Sequence, residues 1–140
     1  MHGAWIEEMK KLCLVITLAL LPVAFSSSAE KKLTEHEVLV ACNKSSSKLV
    51  ESYEKEIKFP ESKLLDILEN TSNVCQTAYQ SASDGMKYKD IERATTAIAR
   101  KEYLKRKDQD PAVLESRFRL ILDSIQVGFY LFENGELPRK

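Results

Sequence analysis

The chain has 140 residues, 21 lysines and arginines against 21 aspartates and glutamates, 44% hydrophobic residues and three cysteines. That length sets the scale of one domain, and zero net charge removes the basic footprint with which nucleic-acid-binding proteins neutralise phosphates. There is no Cys-x-x-Cys run and no glycine-rich elbow with a histidine base, so thiol exchange and covalent catalysis are not expected.

Residues 1–29 read as a signal peptide. Lys10 and Lys11 supply its positive region, residues 12–25 its apolar core, and Ser27 and Ala29 the small-residue cleavage pattern. Met9 is a natural start, which makes residues 1–8 an upstream extension of the reading frame. Pro22 and the serines at 26–28 interrupt the run before it reaches the roughly 20 apolar residues of a membrane span. Cleavage near Ala29-Glu30 delivers residues 30–140 to the periplasm or the medium as a single helical domain with 19 basic and 19 acidic residues. Cys13 leaves with the leader. Cys42 and Cys75 remain, and in an oxidising compartment two cysteines have one pairing open to them.

The first mature helix opens at Thr34, which pairs with Glu37 as a capping box, while Leu33 and Val38 suit a hydrophobic staple. Val38, Cys42, Leu49, Tyr53 and Ile57 continue one helical face until Pro60 disfavours helical geometry at Phe59. A second helix starts at Glu61 or Ser62 and turns Leu64, Ile67, Leu68, Thr71, Cys75, Ala78 and Ala82 inward. Cys42 lies seventeen residues before Phe59 and Cys75 sixteen after it, so two helices folded back at that break bring the sulfurs to one height. Asn70-Thr71-Ser72-Asn73 is poor helix material and needs packing to hold it. Ser83-Asp84-Gly85 ends the segment with turn chemistry.

The third helix spans about 88–107 with a thin face of Tyr88, Ile91, Ala94 and Ile98. The fourth begins with Asp110 as N-cap and Pro111 at the first helical position, and Asn134-Gly135 stops it. It carries two apolar stripes. One runs Leu114, Phe118, Ile121, Leu122, Ile125, Phe129, Phe132, and the other Val113, Leu120, Val127, Leu131. A helix this apolar is central to its own bundle or shares a face with a partner. Four helices with short connections predict an all-α, antiparallel up-down four-helix bundle, with one disulfide between its first two helices.

His36 is the one histidine left after processing, and a lone histidine in an exposed first turn is ordinarily solvated rather than a metal ligand. The carboxylate pairs Asp66/Glu69 and Glu51/Glu54 fall on outward faces beside lysines. The expectation is therefore a protein without enzymatic activity, metal or cofactor. The second stripe of the last helix, with Tyr130 beside it, marks Val113, Leu120, Val127, Tyr130 and Leu131 as the expected interface for a partner or a homodimer.

Thr34-x-x-Glu37 leading into Leu39-Val40-Ala41-Cys42, then Cys75 with Tyr79 after it, then an apolar closing helix, resembles the small periplasmic immunity proteins of type VI secretion, the Tai-like group. The resemblance implies an exported, helical, disulfide-bonded and often dimeric protein. It implies protection of a bacterium by binding a toxin that degrades cell wall, with Cys42 and Cys75 as a structural bond. The alternative expectation is a small-ligand or lipid carrier of the envelope, its core opened by the small residues of the third helix. That reading predicts an apolar cavity between the third and fourth helices.

Overall fold

The computed structural model describes residues 33–106 and 110–139, and the leader expected over residues 1–29 lies outside them. Four helices follow one another: α1 (Glu35–Glu54), α2 (Glu61–Ser83), α3 (Tyr88–Lys105) and α4 (Pro111–Asn134). No strand occurs among the described residues, and no helix among them is long and apolar enough to cross a membrane.

Local chemistry fixes most of the ends. The Glu37 N–H donates to Thr34 Oγ1 and the Thr34 N–H donates to Glu37 Oε1, each at 3.1 Å, so the capping box at the start of α1 is complete. Those bonds to Thr34 hold the Glu37 carboxyl below its usual range. Asp110 Oδ1 accepts from the Ala112 N–H at 2.9 Å with Pro111 directly after it. Gly85 and Gly135 take positive φ values of 89° and 72°, a region other residues reach only with strain, and they close α2 and α4. The start of α2 differs in kind. Pro60 is its N-cap and makes no side-chain capping bond, so packing must hold that end.

Two helices depart from the sequence expectation. α1 stops at Glu54 instead of running on to Ile57. The Glu56 and Ile57 N–H groups both donate to the Tyr53 carbonyl, and this doubled acceptance tightens the chain into a turn before Pro60. On α3 the inward positions are Ile91, Thr95 and Ala99, whereas Ala94 is exposed and Ile98 half-buried. A spacing of three and then four from Tyr88 permits either set, and docking on α4 selects Thr95.

The bundle is organised around α2 and α4, which make its most extensive contact. α1 packs on both, and α3 docks chiefly on α4. Three helices therefore surround α4, and both of its apolar stripes are used inside the chain. Ile121, Ile125 and Phe129 from the first stripe and Leu120 from the second join one core cluster with Ile67, Val74 and Ala78 of α2 and Ile91 of α3. A second cluster gathers Val38, Cys42, Cys75, Tyr79 and Leu131. The Cys42–Cys75 disulfide lies in it with Cα atoms 5.7 Å apart, linking α1 to α2 as expected. Beside it the Leu33 N–H donates to Tyr79 Oη at 3.2 Å, and Leu33 packs on the same cluster as Val38.

Of the poor helix formers of α2, Asn70, Thr71 and Ser72 are buried and Asn73 is exposed. Thr71 donates to the Ile67 carbonyl at 2.6 Å, and Ser81 to the Thr77 carbonyl at 2.8 Å. Ser72 reaches across to Asn43 of α1. Each hydroxyl is satisfied within the bundle, so short side chains bring neighbouring helices close without an unpaired polar cost.

Candidate protein-binding face

The expected interface residues separate into two groups. Leu120 and Leu131 have no exposed surface at all (0% each) and lie in the two core clusters, so they cannot meet a partner. The reason is the central position of α4. A second apolar stripe signals a second buried face, and here α1 and α2 supply the cover. Val113 is half-buried in a small cleft with Ile57, Phe59, Pro60 and Ile67. Val127 and Tyr130 are half-buried at the edge of α4 and remain within reach of a partner.

What α4 shows to solvent is a strip at helical spacing, Arg119, Asp123, Gln126 and Tyr130, bordered by tyrosines from two other helices. From α1, Tyr53 donates to Asp123 Oδ2 at 2.7 Å. The Arg119 guanidinium lies 6.0 Å from the centre of the Tyr53 ring and 3.6 Å from Glu56. From α3, Tyr88 donates to Glu92 Oε2 at 2.9 Å and sets its ring edge-on against Phe129, centroids 5.8 Å apart. Gln126 and Asp123 also act on the Tyr88 phenol, so the network runs continuously across α1, α4 and α3.

Both phenols are held protonated. Burial first, then the bond to Asp123, drives the Tyr53 phenol well above its usual value of 10.0. Burial and then the bond to Glu92 push Tyr88 up to about 12. Neither phenol is primed as a base or nucleophile at neutral pH, so the pair offers rigid aromatic surface. Unfolded tyrosines ionise near pH 10 while the folded ones keep their protons, so this share of stability is whole below about pH 10 and declines from there towards 12 and beyond. Urea unfolding at a series of alkaline pH values should show that decline, and a Tyr53→Phe, Tyr88→Phe chain should show a shallower one. Equal slopes would mean the phenols are not coupled to folding.

Next to the strip, Val127 enters a groove of 570 Å³ whose walls include Leu49 and Lys48 of α1, Lys55 beyond it, and Leu137 and Pro138 of the C-terminal segment. Val127 and Tyr130 are three residues apart, so groove and strip adjoin. Three further cavities lie between α1 and α2 or near the Phe59-Pro60 turn. His36, Asp66 and Glu69 are solvent-exposed, whereas Glu51 is exposed at the wall of the Val127 groove and Glu54 is half-buried beside Leu64 and Leu68. The strip combines one feature legible in sequence, Tyr88 and Glu92 at i and i+4, with one that was not, since Tyr53 and Asp123 are 70 residues apart.

No protein-family model matches this chain, nor does any curated protein or any solved structure. The described residues form an all-α, four-helix bundle with a disulfide joining α1 and α2.

Proposed function

We propose that the chain is an exported binding protein without enzymatic activity, an inhibitor or immunity protein of the bacterial periplasm that holds a cell-wall-targeting effector through the tyrosine-bordered strip of α4. One observation carries this reading: Tyr53, Tyr88, Tyr130 and Arg119, drawn from three helices, gather on one half-exposed face. Tyrosine and arginine dominate binding hot spots because they offer large, stiff area with a polar end. Here hydrogen bonds to Asp123 and Glu92 already fix both flanking rings, which reduces the ordering cost on binding.

The leader features in residues 1–29 and the buried disulfide support export to an oxidising compartment. The motifs at Thr34–Cys42 and Cys75–Tyr79 support the immunity reading through their resemblance to the Tai-like group. We also read the helices as alternating up and down. That direction is supported by Leu33 meeting Tyr79, by the Cys42–Cys75 bond and by Tyr88 meeting Phe129.

The test is capture from envelope extracts on immobilised oxidised chain 30–140. One dominant protein should be retained, and Arg119→Ala with Tyr130→Ala should release it, while Leu65→Ser on an exposed part of α2 should not. Retention unchanged by the α4 substitutions would remove this face from consideration. A second reading, a small-ligand or lipid carrier, draws on the groove beside Leu49, Val127 and Leu137. Solvent extraction of the purified protein should recover a stoichiometric amphiphile if it holds.

A further inference from the structure

We propose that the bound partner presents a lysine- or arginine-bearing loop to the α4 strip, its cation seated between Tyr53 and Tyr88 against Asp123. This rests on the binding-protein reading above and specifies the chemistry of the partner. Charge is one reason. The charged groups that interact with the two phenols are three carboxylates, Glu56, Glu92 and Asp123, against one cation, Arg119. The face is acidic within a chain of zero net charge. A surface of that sign steers and orients a basic partner and rejects an acidic one.

Hydrogen-bond capacity points the same way. The phenol protons of Tyr53 and Tyr88 are committed to Asp123 and Glu92. A neutral phenol donating to a carboxylate leaves the negative charge in place and leaves acceptor capacity on the second oxygen. What the two tyrosines still offer an incoming group is ring face and the acceptor side of each phenol oxygen, and both attract cations. Carboxylate oxygen beside aromatic face is the pairing that a guanidinium or ammonium group uses best.

The chain already shows the arrangement once. Arg119 lies over the Tyr53 ring at 6.0 Å and approaches Glu56 at 3.6 Å. Its side chain is 51% exposed and that of Glu56 is 59% exposed, so water screens the pair and leaves both groups available to a partner. A better-buried cation from a docking loop would gain what this exposed one does not.

The experiment is an NMR titration of oxidised, isotope-labelled chain 30–140 with a peptide of alternating glycine and arginine, beside the same peptide with neutral citrulline at every arginine. Saturable shift changes should centre on Tyr53, Tyr88, Asp123 and Gln126, and the citrulline peptide should give none. Asp123→Asn keeps an acceptor for Tyr53 and should weaken the arginine peptide about tenfold, the effect of one lost charge-assisted bond. Glu92→Gln should weaken it several-fold, and Glu69→Gln on α2 should leave it unchanged. Should Asp123→Asn fail to fold, Glu92→Gln against Glu69→Gln decides alone. Shifts scattered over the surface, no saturable binding, or equal affinity for the citrulline peptide would overturn the proposal. If that happens while envelope capture still depends on Arg119 and Tyr130, only the cationic loop falls. Capture indifferent to those residues removes the parent reading whatever the peptide does.

Discussion

Gly128→Ala is expected to destabilise the bundle by about 3 kcal/mol, near the upper end for overpacked cores, and to lower its thermal midpoint by roughly 10–15 °C. A methyl built on Gly128 would sit 2.4 Å from the Cys75 carbonyl oxygen, 2.6 Å from Ala78 Cβ and 2.9 Å from the Tyr79 nitrogen. Two of those three neighbours are backbone atoms of α2, which no rotamer change can move aside. The helices would have to separate, and they form the most extensive contact in the molecule. The Cys75 and Tyr79 backbone that would be pushed also holds the disulfide and the phenol that caps Leu33, so the disturbance would spread to α1.

The sign of the change is what makes the experiment informative. In an exposed helix, glycine to alanine stabilises by up to about 1 kcal/mol through propensity alone. Thermal and urea unfolding of Gly128→Ala followed by circular dichroism therefore separates two outcomes of opposite direction. A midpoint at or above that of the parent chain would mean α2 and α4 do not meet backbone to backbone at this point. Adding Ala78→Gly should return only part of the loss, because it removes one of the three obstructing groups and leaves the two backbone atoms.

Gly128 also shows where reading the sequence stops. Its place in an apolar helix was plain, as was the run of Ser, Thr and Ala along α2. Nothing in either stretch says that the two meet, because a small residue leaves the same mark whether it admits a helix or merely lacks a partner. Element ends were more legible. Thr34 with Glu37, Asp110 with Pro111, and Gly135 each act through neighbours within four residues, and the structure shows all three in use. The two stripes of α4 were legible as burial but not as to its source. Periodicity reports how much of a helix is covered and is silent about which chain does the covering, so Leu120 and Leu131 read as interface when α1 and α2 had claimed them. The binding face divides in the same way. Tyr88 with Glu92 follows from helical spacing, whereas Tyr53 with Asp123 exists only once α1 lies along α4.

Removing the Cys42–Cys75 bond, by reduction or as a Cys42→Ala, Cys75→Ala chain, should cost about 3.5 kcal/mol by the loop-entropy argument, a large share of the 5–15 kcal/mol typical of whole domains. The sequence separation of 33 sets the loop, and the burial of both cysteines sets how the bond is lost. Cys42 is 0% exposed and Cys75 1%, enclosed by Val38, Tyr79 and Leu131. A soluble reductant cannot reach either sulfur until that cluster opens, so reduction of the folded chain should be slow and should report opening. Two kinds of opening are distinguishable. If α1 lifts from α2 and α4 by itself, the reduction rate will depend weakly on urea, because little surface is exposed. If the cluster yields only with the whole bundle, the rate will rise with urea as steeply as global unfolding does. The steep dependence is expected, since Cys75 belongs to the helix that also grips α4 at Gly128, and Val38 shares its cluster with Leu131 of α4. Thiol trapping at increasing urea, set beside equilibrium unfolding of the oxidised and reduced chains, measures both quantities. Oxidised and reduced chains of equal stability would mean that the bond constrains nothing the helices do not already hold.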